Sequence, residues 1–136
     1  MAPHQSTLDT LKKYADIHVQ SAQQTFGLTL DYSESSVALL DQMIDSGWKG
    51  EQPENLAGVV GFFGAYLGEV VVRQLNGAWE ENNEVFQVRI PLHNGDTGTA
   101  SVFDKVKNRF LNGPSDSLVF FYQSLKRLQA GDLSVG

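Results

Sequence analysis

Apolar residues recur every three or four positions over several separated stretches of the chain, and each stretch predicts a helix with one buried face. Leu8, Leu11, Ala15, Val19 and Ala22 mark the first, from about Ser6 to Gln24. Phe26, Leu28 and Leu30 then alternate, which is the period of a short extended segment. Val37, Leu40, Met43 and Ile44 form the inner face of a second helix from about Ser33 to Ser46, with Gly47 as its stop. A third helix, the most apolar of all, starts near Pro53 and ends in a left-handed cap at Asn76-Gly77.

Beyond that cap the period changes to two. Trp79 and then Phe86, Val88 and Ile90, alternating with Gln87 and Arg89, predict strands about a turn at Asn82-Asn83. Pro91 and Asn94-Gly95-Asp96 make a further turn, and Gly98 to Ala100 return as a third strand. Ser101 and Asp104 have capping-box spacing at the head of a fourth helix, which stops at Asn112-Gly113. Ser115 or Asp116 caps a fifth, whose Leu118, Phe121, Tyr122, Leu125 and Leu128 keep helical spacing, and the tail from Gly131 to Gly136 is expected to fray. The expected fold is α+β, with about five helices packed on a small three-stranded antiparallel sheet. Residues 1–136 are read as a single domain with an ordered core over about 6–130.

Composition narrows the functional classes. With 41% hydrophobic residues the chain has enough apolar surface for a packed core, so wholesale disorder is excluded. The absence of cysteine removes disulfides, thiolate nucleophiles and thiolate metal sites. A net charge of −6 argues against binding to nucleic acid or to an anionic membrane. The N-terminus lacks the basic start, apolar stretch and cleavage site of a signal peptide. The longest uncharged apolar run, Leu56 to Gly68, has 13 residues and closes at Glu69, short of a bilayer span. A cytoplasmic location is therefore expected.

The third helix carries the most informative pattern. Gly61, Gly64, Ala65 and Gly68 share one arc, opposite Val59, Val60, Phe63, Leu67 and Val70. Several glycines within a helix cost roughly 0.5–1 kcal/mol each relative to alanine, so a close approach along the small face must offset them. The approaching element is another part of this chain, a second subunit in a homodimer, or a flat ligand. Glu69 and Arg73 lie one turn apart on the remaining narrow face, as an ion pair or as a carboxylate fixed by a guanidinium in a crevice with Tyr66 and Trp79. Glu34, Asp41 and Asp45 fall on the polar face of the second helix, the usual pattern of solvated surface, without the spaced loop of a calcium site. His4, His18 and His93 are too scattered to form a metal motif, and no serine has a nucleophile elbow. Neither a metal nor a cofactor is implied. His18 lies at the edge of the first helix's apolar stripe, where packing into the core is the simpler role.

Charge is uneven. Residues 1–68 hold eight acids and three bases, and residues 69–136 hold eight acids and seven bases. Lys105 with Arg109, and Lys126 with Arg127, are either solvated or placed to meet an acidic partner or the acidic half of a second copy.

The strings LDYSESSVALLDQMI, GAYLGEVV with the following NGAW, FDKVKNRFLNG and DSLVFFY together resemble a family of small bacterial proteins carrying a domain of unknown function. The likeness covers residues 28–125, with Gly64, Tyr66, Gly68, Glu69, Gly77, Trp79, Asn112-Gly113 and Asp116-Ser117-Leu118 as its strongest marks. It implies a bacterial, intracellular, single-domain protein and brings no activity, cofactor or substrate with it. Of these marks, Glu69 alone has no obvious architectural reason. The leading expectation is a non-enzymatic protein-interaction module of accessory or immunity type. The alternative is a small-ligand domain or simple enzyme with its crevice at Glu69, Arg73, Tyr66 and Trp79.

Overall fold

A computed structural model describes residues 1–132. Among them are five α-helices and one antiparallel sheet of order β1-β2-β3, the α+β architecture expected from the alternation of periods. The helices are α1 (Gln5–Ser21), α2 (Ser36–Trp48), α3 (Leu56–Gln74), α4 (Val102–Asn112) and α5 (Leu118–Ala130), and the strands are β1 (Ala78–Asn82), β2 (Val85–Pro91) and β3 (Thr97–Ala100).

Helix α3 is the axis of the core. Phe63, Ala65, Leu67, Val70 and Val71 on it are fully buried, and α1, α2, α4 and the sheet pack around it. Asn55 caps it by accepting the Gly58 amide, so the helix begins three residues after Pro53, and Asn76 supplies the left-handed residue at its other end. By length and composition this 19-residue helix, with an 18-residue stretch of mean hydropathy 1.5, matches a membrane span, which corrects the count that stopped at Glu69. Half of that stretch is buried against the rest of the chain.

Several local expectations give way to packing. Helix α1 runs into a π turn over Ala22–Phe26, closed by Gly27 at φ +67°, and residues 28–30 join no strand. Their alternation has a different cause: Leu30 is buried and Leu28 half-buried in a loop crossing the core's edge. Gly47 does not stop α2. The helix continues to Trp48 with Lys49 as its left-handed cap, and a Cβ on Gly47 would press on the Phe26 ring at 3.0 Å. The β1–β2 turn is Asn83-Glu84, both at positive φ, one residue later than the sequence pattern indicated. Ser101 makes no side-chain capping bond to α4, and α5 is capped by Ser117 rather than Ser115 or Asp116. Gly131 and Asp132 hold the end of α5 through bonds to Leu128 and Arg127 carbonyls; the remainder of the tail expected to fray, residues 133–136, lies outside the described residues.

Candidate functional site

The small face of α3 is filled by rings of the same chain. A Cβ on Gly64 would overlap Phe103 of α4, and one on Gly68 would overlap Trp79 of β1. The glycines thus admit aromatic side chains rather than a second backbone, and Phe103 stacks on Trp79 at 5.9 Å. Ala65 is fully buried, and only Gly61 has open space beside it. At Gly64 and Gly68 the close approach is therefore made by side chains of the same chain.

The structure does bring Tyr66, Glu69, Arg73 and Trp79 into one connected network. Glu69 is 2% exposed; one carboxylate oxygen accepts the Trp79 indole N–H at 2.8 Å and the other the Arg73 guanidinium at 3.5 Å. Arg73 lies 3.6 Å over the ring of Tyr32, which stacks on Tyr66 at 4.8 Å. The Tyr66 hydroxyl accepts the Tyr32 amide and donates to Ser36, while the Tyr32 hydroxyl donates to Asp16. Burial, and then the Asp16 carboxylate, push the Tyr32 hydroxyl pKa up, and burial does the same for Tyr66. Tyr32 sits at φ +64°, an unfavourable backbone for a bulky residue, held by the Tyr66 bond and by Gln74 donating to its carbonyl. The network fastens loop 27–35 and β1 to α3. Its carboxylate is committed to partners inside the chain, so it has little to offer a substrate.

The acids expected on the polar face of the second helix also anchor other elements: Asp41 is largely covered, while Asp45 on α2 and Glu34 just before it stay partly in solvent. Arg109 of α4, 3% exposed, bonds Asp41 at 2.8 Å and Asp45 at 2.7 Å. Burial disfavours its charge, but the bonds from Asp45 and Asp41 outweigh that and raise its pKa. Asp41 also accepts the Leu118 and Val119 amides and the Ser117 hydroxyl, capping α5 from another helix. Glu34 takes the Tyr122 hydroxyl and Lys126, which hold its pKa down, and Lys105 pairs with Asp116. Lys105, Arg109 and Lys126 therefore meet acids of their own chain. Among the described residues no three histidine or carboxylate side chains converge as a metal site.

Among the open depressions of the described residues, the most apolar is a cleft that sequence reasoning missed. It has a volume of about 220 Å³ and an almost wholly apolar wall, built where the end of α1, the π turn, α2 and α3 converge. Ile17, Phe26, Met43, Trp48, Phe62 and Phe63 supply the apolar lining, and His18 and Ser21 the polar atoms. The π turn places Phe26 here, an extra residue of winding of the kind often found at functional sites. Around the mouth, Tyr14 and Ile17 are 41% and 37% exposed, and Tyr14 packs on Phe62 at 5.1 Å. His18 is 4% exposed, its ring is 4.2 Å from Phe63, and its Nε2 has no hydrogen-bond partner. Burial pushes its pKa down to about 4, so the imidazole is neutral near pH 7. The position of His18 on its stripe was visible in the sequence, but the cleft is walled by residues of three helices and the π turn, which only the fold brings together.

No curated protein and no solved structure gives a significant match to this chain. A family model does match, over residues 7–97, which include the GAYLGEVV and NGAW strings and stop short of FDKVKNRFLNG and DSLVFFY. The match covers well over half of the chain, which therefore belongs to a family of unknown function, DUF6278.

Proposed function

We propose that this protein is a non-enzymatic interaction module that docks one apolar side chain of a protein partner in the cleft between α1, α2 and α3. The observation that carries this reading is an aromatic cleft of about 220 Å³ with exposed apolar side chains, Tyr14 and Ile17, at its mouth. That volume is below the roughly 300–1,000 Å³ of cofactor and drug-sized pockets. It suits a single anchor side chain, and the apolar rim continues the contact outward as a partner's surface requires. The competing reading, a ligand or catalytic crevice at Glu69, Arg73, Tyr66 and Trp79, is not favoured, because those groups bond one another.

The test is capture of partners from native lysate by the protein and by two variants. Val59 also lines the cleft, so Val59→Trp plugs it from α3, and Tyr14→Glu puts a charge beside the lining residue Phe62. A stoichiometric partner held by the unaltered protein and lost by both variants, with their unfolding midpoints unchanged, supports the reading. A partner retained by both variants refutes it.

A further inference from the structure

The cleft contains one buried polar group without a partner, and its chemistry limits what can enter. We propose that the docked side chain is the phenol of a tyrosine or the indole of a tryptophan, inserted so that its O–H or N–H donates to the imidazole of His18. The proposal rests on the docking reading of this cleft and adds the identity of the anchor.

A neutral imidazole has one acceptor and one donor nitrogen. A buried polar atom without a hydrogen bond is costly, and His18 Nε2 is one such atom. The neighbours of the ring are the aromatic faces of Phe63, 4.2 Å away, and of Tyr66, 6.0 Å away. The Tyr66 hydroxyl is no help, being engaged with Tyr32 and Ser36. His18 forms part of the cleft wall while its Nε2 is enclosed, so the proposal includes a turn of the ring about its Cβ–Cγ bond that brings this nitrogen to the opening. An entering ring stacks on Phe26, Trp48 and Phe62 with its body and returns a partner to the imidazole with its polar edge. An aliphatic side chain or phenylalanine fills the same space and leaves the nitrogen unpaired. A charged side chain meets no counter-ion, because among the described residues the lining contains no acid and no cation that is charged at neutral pH.

The experiment compares matched amino-acid amides by NMR, following backbone amides along the cleft and the imidazole nitrogens of His18. N-acetyl-tyrosinamide is set against N-acetyl-phenylalaninamide, and N-acetyl-tryptophanamide against its 1-methylindole analogue. In the unaltered protein the donor-bearing member of each pair is expected to bind about three- to tenfold tighter, the value of one neutral hydrogen bond, and to shift a His18 nitrogen. In His18→Phe, whose fold is checked by its circular dichroism and urea midpoint, each pair is expected to bind equally. If both members of each pair perturb the cleft equally in the unaltered protein, the hydrogen-bonded anchor is refuted while docking at the cleft stands. If no amide perturbs the cleft, the docking reading falls with it. If free p-cresol binds but no amide does, the site takes a small molecule and not a partner's side chain.

Discussion

Burying an unpartnered histidine makes folding stability depend on pH in a window set by its two pKa values. In the unfolded chain His18 titrates at 6.5, and in the folded protein burial against Phe63 and Tyr66 lowers this to about 4. Above pH 6.5 both states carry neutral imidazole and the residue contributes no pH dependence. Below it the unfolded state takes up a proton that the folded state refuses, so stability falls with pH until the folded imidazole also protonates near pH 4. Lowering the pKa from 6.5 to about 4 corresponds to about 3 kcal/mol in full, at about 1.4 kcal/mol per tenfold change in proton affinity. The assay is urea unfolding followed by tryptophan fluorescence from about pH 7 to about pH 4.5, on the unaltered protein and on His18→Phe. The carboxylates of Glu34, Asp31 and Asp116, whose bonds in the folded protein lower their pKa values, are common to both proteins and cancel in the difference. The expected difference is flat above pH 6.5 and then grows in favour of the variant, by about 1 kcal/mol or more per pH unit at its steepest. Parallel pH profiles for the two proteins would refute the claim that His18 is buried and neutral.

Two further expectations separate the glycines and the buried carboxylate by role. Gly68→Ala should destabilise by about 1–3 kcal/mol in urea unfolding, since its methyl would overlap the Trp79 ring, whereas Gly61→Ala, with open space, should stabilise by roughly 0.5–1 kcal/mol. Glu69→Gln should cost about 1–3 kcal/mol, because the amide can accept from Trp79 only by presenting its own N–H groups to Arg73; an unchanged unfolding midpoint would return Glu69 to the list of functional candidates.

Elements whose periodicity has a local cause were legible in the sequence. The apolar length of α3, the hairpin of Trp79 and Phe86–Ile90, and the break at Asn112-Gly113 all follow from residues close to one another along the chain. Glu69 also stood out, as a charge on a helix apolar all round, and Trp79 had been placed in the same crevice. What escaped were features created by distant pairing. The carboxylates of Asp41 and Asp45 look like solvated surface until Arg109 arrives from α4, 64 or more positions later. Gly47 looks like a helix stop until the ring of Phe26 is seen against it. The cleft at His18 depends on where α1, α2 and α3 meet, which no spacing within one helix encodes.

The grip of Asp41 on α4 and α5 bears on how this family can vary. The family match ends at residue 97, yet Asp41, inside it, holds Arg109, Ser117, Leu118 and Val119 beyond it, and Gly64, also inside, is filled by Phe103. Relatives that diverge after residue 97 are therefore not free to do so one position at a time. A larger residue at 64 calls for a smaller one at 103, and loss of the acid at 41 leaves the buried cation at 109 with Asp45 alone and removes the acceptor of the Leu118 and Val119 amides. Positions 41, 109 and 117 should change together, as should 64 and 103, in relatives whose C-terminal helices pack as they do here.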